Sequence, residues 1–127
     1  MEFDAVLLPA RRDDMIEQGL WHERTINQDL DACVAACPDK LALTAYRVEA
    51  DDVRRFTYRE LAQMVDRVAV GLARLGVQKN DIVACQLPNW WQFTVTYLAC
   101  SRIGAVINPL MHSKSYKMNC PLIQNLI

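Results

Sequence analysis

A chain of 127 residues, 52% hydrophobic and 23% charged, fits one globular domain that can bury roughly two-thirds of its unfolded surface, and it is not a disordered tail. Its formal net charge is -1, and Arg11, Arg24, Arg47, Arg59, Arg67 and Arg102 are scattered, so no basic stripe exists to neutralise a nucleic-acid backbone. No apolar run approaches the roughly 18 residues of a membrane span, because Gln92, Thr94, Thr96, Ser101 and Arg102 interrupt even the stretch from Trp90 to Ile103. The first residues, M-E-F-D-A-V-L-L-P-A-R-R-D-D, place acids before a short apolar run, the reverse of a secretory leader, and the expectation is a soluble cytoplasmic protein. Five cysteines, Cys33, Cys37, Cys85, Cys100 and Cys120, form an odd set without C-x-x-C spacing, which predicts reduced and mostly buried thiols.

In chain order, Pro9 opens a short helix in which Met15, Ile16 and Leu20 recur at helical spacing and Gly19 is placed to end it; it reads as a surface arm. Thr25 and Gln28 have capping-box spacing, and Leu30, Cys33, Val34 and Cys37 line one face until Pro38, which predicts a helix from about Asn27 to Cys37. Leu41 to Tyr46 alternates, the acidic turn E-A-D-D follows, and V-R-R-F-T returns with β-branched and aromatic residues, the pattern of a hairpin. Thr57 and Glu60 form a second capping box. Leu61, Val65, Val68, Leu72 and Leu75 then recur on one side, with Arg59, Gln63, Asp66, Arg67 and Arg74 opposite, predicting a helix from Tyr58 to Leu75 closed by Gly76.

Asp81 to Leu87 is short, apolar and β-branched, which predicts a strand covered on both faces. Pro88 and Asn89 end it. Between Trp90 and Ile103 the polar side chains spread around the helix, so that helix must be packed on most of its circumference. Gly104 caps it, and A-V-I-N-P-L reads as the next strand, completing a βαβ unit expected to be right-handed and part of a mostly parallel sheet. The segment from His112, with two lysines, no acid and no regular apolar period, gives no basis for assigning a structure. The organisation expected is an N-terminal helical arm over 1–37, βα units over 38–111 and a divergent tail over 112–127.

Several residue groups invite a chemical reading, and each has a plainer one that outweighs it. Gly71 and Gly76 have the G-x-x-x-x-G spacing of a phosphate loop, but Val77 and Gln78 stand where Lys and Ser or Thr are needed, so close packing and helix capping are favoured. Cys33 and Cys37 are one helical turn apart and could share a metal if other ligands joined them; His22 and His112, the only imidazoles, lie near no second cysteine pair. Trp90 and Trp91 could stack a base, yet they open an apolar helix and are expected to have no basic partners nearby, so core packing is favoured. Asp13 with Asp14, and Asp51 with Asp52, could act as paired carboxylates, but helix starts and turns commonly carry solvated acids. No Ser, Cys and His arrangement of nucleophile–base spacing occurs.

Taken together, P-D-K-L-A-L, F-T-Y-R-E-L with its helix, L-P-N before an apolar helix, and G-A-V-I-N-P-L resemble the N-terminal region of the adenylate-forming (AMP-binding) superfamily. That superfamily includes acyl-CoA synthetases, luciferases and the adenylation domains of peptide synthetases. Within it, G-L-W-H-E-R-T-I-N-Q-D-L-D-A-C and Q-L-P-N-W-W-Q-F look most like bacterial CoA ligases for medium-chain or alicyclic carboxylates, of the cyclohexanecarboxylate type. The resemblance covers roughly the first 110 residues.

It implies an α/β fold, the opening part of the large N-terminal domain. It also implies a reaction in which a carboxylate and ATP give an acyl-adenylate and pyrophosphate, followed by thioester formation with CoA, assisted by magnesium. ATP, magnesium and CoA are thus cofactors and substrates implied for the full-length family. In the family a Gly-, Ser- and Thr-rich loop ending in lysine holds the phosphates, because small residues let backbone N–H groups approach them. The four glycines here, Gly19, Gly71, Gly76 and Gly104, form no such loop, and the family's other adenylation motifs lie beyond Ile127. No catalytic, cofactor-binding or metal-binding residue is therefore assigned, and the chain alone is expected to be inactive.

After Leu110 and Met111 the family continues with a proline and a charged helix, whereas His112 begins an unrelated tail, which suggests a frame truncated by deletion, frameshift or early stop. Two other readings stay open: a non-catalytic α/β interaction module, and one half of a split ligase complemented by a separate remainder.

Overall fold

The computed structural model describes residues 9–22 and 24–110. Within them four helices and four strands follow in the order α1 (Pro9–Glu17), α2 (Ile26–Ala36), β1 (Leu41–Arg47), β2 (Asp52–Thr57), α3 (Tyr58–Arg74), β3 (Ile82–Cys85), α4 (Trp91–Ile103) and β4 (Val106–Pro109), with a 3-10 turn, Val48–Ala50, between β1 and β2. The tail from His112 and the thiol of Cys120 lie outside the described residues.

Local signals set the helix ends. Thr25 and Thr57 both close capping boxes: each hydroxyl accepts the third-residue N–H, and the Gln28 or Glu60 side chain accepts the cap N–H. These bonds satisfy amides that the first helical turn leaves without partners. Gly76 and Gly104 follow α3 and α4 with φ of 91° and 74°, a left-handed geometry that a side chain strains. α1 stops before Gly19, also at positive φ, and has no buried residue.

The centre of the molecule is the stripe of α3. Leu61, Ala62, Val65, Val68, Ala69 and Leu72 are buried against Val95, Leu98, Ala99 and Cys100 of α4, and Leu30 of α2 joins them. Leu75, expected at the end of that stripe, is instead the C-cap and 59% exposed, because the helix has ended before it can turn inward. α4 is enclosed on most sides, as the dispersed polar pattern required, with Tyr97 and Ser101 the open positions. Its buried Thr96 avoids an unmet hydroxyl by donating to the Gln92 carbonyl at 2.8 Å.

α2 is tied to this core as well as packed on it. Asn27 Nδ2 donates to the Leu98 carbonyl at 3.3 Å. Arg102, in the last turn of α4, reaches Asp31 of α2 at 2.8 Å and Asp66 of α3 at 2.8 Å, so one guanidinium spans three helices. The Asp66 contact is an ion pair in an orientation that makes no hydrogen bond to Nε.

Among the described residues the strands form two small sheets. β1 and β2 are the expected antiparallel hairpin, with an irregular register between Leu41 and Leu43. β3 and β4 pair in parallel, Ile82 with Val106 through Cys85 with Pro109, across the α4 crossover. Two flanking bonds lengthen this ladder: the Val106 amide donates to the Asp81 carbonyl and the Leu110 amide to the Cys85 carbonyl, each at 2.8 Å.

One expectation fails here. β3 was expected to be covered on both faces, but only Val83 and Cys85 turn toward the helices, whereas Ile82 is 54% exposed and Ala84 is also exposed. The helices α3 and α4 supply a single layer, and side chains alternate across a strand, so every second residue faces outward.

Candidate functional site

In open parallel sheets the carboxyl ends of the strands and the helix N-termini beside them are where ligands gather. Here that end is the segment after β3, Gln86 to Asn89, which leads into the N-terminus of α4. Trp90 occupies the N-cap position of α4 and offers no side-chain cap. The hairpin closes over this end from the other side. Ala45, Arg47, Asp52 and Arg54 of β1 and β2 face Trp90, Trp91 and Gln92 across a small pocket of about 130 Å³.

The two tryptophans divide their work. Trp91 packs on the core and lies 5.3 Å from the Phe56 ring, tilted by 51°. Trp90 is half-buried, and the Arg47 guanidinium sits 4.1 Å above its ring, a cation–π arrangement. The expectation that Trp90 has no basic partner is therefore overturned. Hairpin formation carries Arg47 to it from a distant part of the sequence.

Arg54 donates to Asp52 at 2.9 Å, so the pocket holds one internally paired acid and two cationic groups. Its size and charge suit a small anion and fall well short of the 300 Å³ or more that a nucleotide-sized ligand occupies, roughly.

The remaining sequence candidates resolve into structural roles. Asp51 adopts a left-handed conformation, φ 47°, and accepts the Tyr46 hydroxyl at 2.6 Å, which raises the pKa of that tyrosine above its usual range. With Asp52 bound to Arg54, the Asp51–Asp52 pair braces the hairpin turn. Asp13 pairs with Arg12 at 2.8 Å, and Asp14 accepts from Gln18 at 2.7 Å, all exposed.

Gly71 lies inside α3 and Gly76 just beyond its end, positions of packing and capping. Cys33 and Cys37 are half-buried beside Tyr58, whose hydroxyl is raised in pKa chiefly by the charge and hydrogen bond of Cys33. Among the described residues no three His, Cys, Asp or Glu side chains converge as a metal site would require. The Arg47 pocket, whose one carboxylate, Asp52, is already bound by Arg54, is by itself too small to hold a nucleotide with its magnesium. Also among these residues, no helix is long and apolar enough to cross a membrane.

What decides the kinship is the extent of the match rather than any one side chain. A family model described as AMP-binding enzyme matches residues 30–115, from within α2 through β4. The chain belongs to the AMP-binding enzyme family.

Its relatives are much longer proteins. The medium-chain fatty-acid–CoA ligase of Escherichia coli is 36% identical over 103 residues, a match covering 81% of this chain and 17% of that ligase. An acetyl-coenzyme A synthetase of Phycomyces blakesleeanus is 48% identical over 69 residues, 54% of this chain and 10% of that enzyme. The chain therefore spans less than a fifth of the length of these AMP-binding relatives.

Solved structures agree with the fold. The apo structure of Mycobacterium smegmatis MbtA superposes with a TM-score of 0.69 at 31% identity, over 80% of this chain and 18% of that one. The N-terminal subdomain of Klebsiella oxytoca NpsA gives a TM-score of 0.61 at 30% identity, over 74% of this chain and 23% of that subdomain. The mixed α/β architecture thus matches part of the N-terminal subdomain of adenylate-forming enzymes. The sequence resemblance had pointed to the same family from the quoted motifs alone.

Proposed function

We propose that this chain is the opening section of an AMP-forming acyl-CoA ligase, one that activates a small carboxylate with ATP and passes it to CoA in the cytoplasm, as part of fatty-acid or related carboxylic-acid metabolism. Residues 38–111 form the family's first βα units, preceded by the arm over 1–37 and followed by the tail over 112–127. The observation that carries this reading is the family match over residues 30–115 together with the subdomain fold.

The chain's own contribution is scaffolding. Phosphoryl and adenylyl transfer depend on groups that grip phosphate and offset its charge. The sequence offers no glycine-rich loop with its lysine, and the pocket at Arg47 is too small for a nucleotide. The chain by itself consequently activates no carboxylate. ATP–pyrophosphate exchange with a panel of short, medium-chain and alicyclic acids tests this: the expected rate equals that of the protein-free blank, and exchange above it with any acid overturns the reading.

A further inference from the structure

The hairpin brings two arginines onto one face of its ribbon. Arg47 is the register partner of Asp52, and Ala45 that of Arg54, so Arg47 and Arg54 stand diagonally across the same face, because residues two apart in a strand share a side. Like charges held this close repel unless an anion lies between them. Asp52 offsets only part of the repulsion, since it bonds the Nε of Arg54 at 2.9 Å and leaves the terminal amino groups of that side chain open. Among the described residues Arg47 forms no ion pair, and its guanidinium sits over the Trp90 ring at 4.1 Å. A ring face attracts the charge without satisfying the five N–H donors, most of which remain open.

The opposite wall is the start of α4. Trp90 supplies no side-chain cap there, and a helix leaves its first amides, here those of Trp91 and Gln92, without intrahelical partners and its N-terminal end partly positive. Gln92 adds an unmet acceptor: its Oε1 is buried and receives no hydrogen bond. The last torsion of a glutamine is broad, so a modest rotation brings that oxygen to the pocket that Gln92 lines.

Donors thus approach a space of about 130 Å³ from two opposed walls. A carboxylate points both oxygens the same way and meets one wall, whereas a tetrahedral oxyanion presents oxygens to both. Hydrogen phosphate also carries a P–O–H that can donate to Gln92. Sulfate has none at neutral pH, and a phosphomonoester, with a second pKa near about 6, has mostly lost its own.

We propose that this pocket is a binding site for one inorganic phosphate ion, gripped between the Arg47 and Arg54 guanidiniums and the first turn of α4, with Gln92 accepting its P–O–H. The site uses the hairpin and α4 alone and does not depend on the ligase reading.

The test is isothermal titration of the full chain with inorganic phosphate, in a low-salt buffer free of other oxyanions at a pH of about 7.5, where phosphate keeps one proton and a monoester does not. The expected result is one ion bound per chain, with affinity about tenfold lower in each of Arg47→Gln and Arg54→Gln, the loss of a charged hydrogen-bond donor. Arg74→Gln, in the last turn of α3 and outside the pocket, should leave the affinity unchanged. Sulfate and methyl phosphate should each bind about tenfold more weakly than phosphate, since neither donates to Gln92.

Both pocket arginines are exposed, so the variants should melt with the parent. Should either fail to fold, the Trp90 indole N–H resonance of the parent decides: phosphate should shift it and leave that of Trp21 in place. An unmoved Trp90 signal, absence of saturable binding, an equal loss in Arg74→Gln, or sulfate and methyl phosphate binding as tightly as phosphate would each overturn the proposal.

Discussion

The Arg102 guanidinium meets the Asp31 carboxylate through two hydrogen bonds, Nη1 to Oδ2 at 3.0 Å and Nη2 to Oδ1 at 2.8 Å, across 71 positions of sequence. The fork geometry is specific to arginine. With Asp66 on its other side, the Arg102 side chain is only 22% exposed, while both acids remain more than half exposed. Replacing Arg102 by Met therefore strands no buried charge, yet releases the tie between α4 and its two neighbours. The expected cost is about 1 kcal/mol, because partly exposed ion pairs are individually modest. Arg102→Lys should recover less than half of it. Urea unfolding monitored by tryptophan fluorescence measures both.

The same contact predicts a pH dependence. Asp31 is held below its ordinary value of 3.8 chiefly by the Arg102 hydrogen bond, which outweighs the opposing effect of burial, with the arginine's charge adding a smaller lowering. A carboxylate whose pKa is lower in the folded state stabilises the fold above the unfolded value, and loses that contribution as pH falls through the folded one. The advantage of the parent over Asp31→Asn should thus be full above the ordinary aspartate range and fade as pH falls through that range and below it. Midpoints that stayed equally far apart throughout that range would contradict the assignment.

Gly104 links α4 to β4 with φ of 74°, and a Cβ built there lies 3.0 Å from Lys79 Cγ. Gly76, at φ 91°, has nothing within 4 Å of the same position. Both alanine substitutions incur left-handed strain of about 1 kcal/mol. Gly104→Ala must also displace the Lys79 stem, so it should lower the melting temperature at least as far as Gly76→Ala. The reverse order in a thermal melt would show that the β3–β4 end of the molecule yields more easily than the geometry implies.

Thiol chemistry reports on the core. Cys100 is fully buried, and desolvation pushes its pKa up to about 11, with the neighbouring Cys85 adding to the shift. The thiolate is the reactive form, so Cys100 should resist iodoacetamide in native buffer. Cys33 and Cys37, half-buried at the end of α2, should be modified first. Peptide mass mapping before and after denaturant distinguishes the two classes, and early labelling of Cys100 would mean that α3 and α4 separate readily.

Much of this fold is legible from short-range chemistry. Thr25 with Gln28 and Thr57 with Glu60 announce their helices because a capping box involves residues only three apart, and Gly76 and Gly104 mark ends for a similarly local reason. The hairpin and the βαβ order follow from period and punctuation. What sequence leaves hidden is set by neighbours far along the chain. Arg47 above Trp90 requires the hairpin to fold back over α4, and Asn27 is buried because it finds the Leu98 carbonyl. The one-sided burial of β3 is hidden for a different reason. I-V-A-C is apolar at every position, so its pattern cannot reveal that Ile82 and Ala84 lack a covering layer. The Arg47 pocket carried no motif because its charged and aromatic parts come from three separate elements.

The first helix, Pro9–Glu17, has no side chain in the interior. A nine-residue helix in water is marginal without packing to hold it, so its amides should exchange with deuterium almost as fast as those of an unfolded peptide. Trypsin would find Arg11 and Arg12 there well before it reached the arginines of α3, and the trimmed product would keep the unfolding midpoint of the parent.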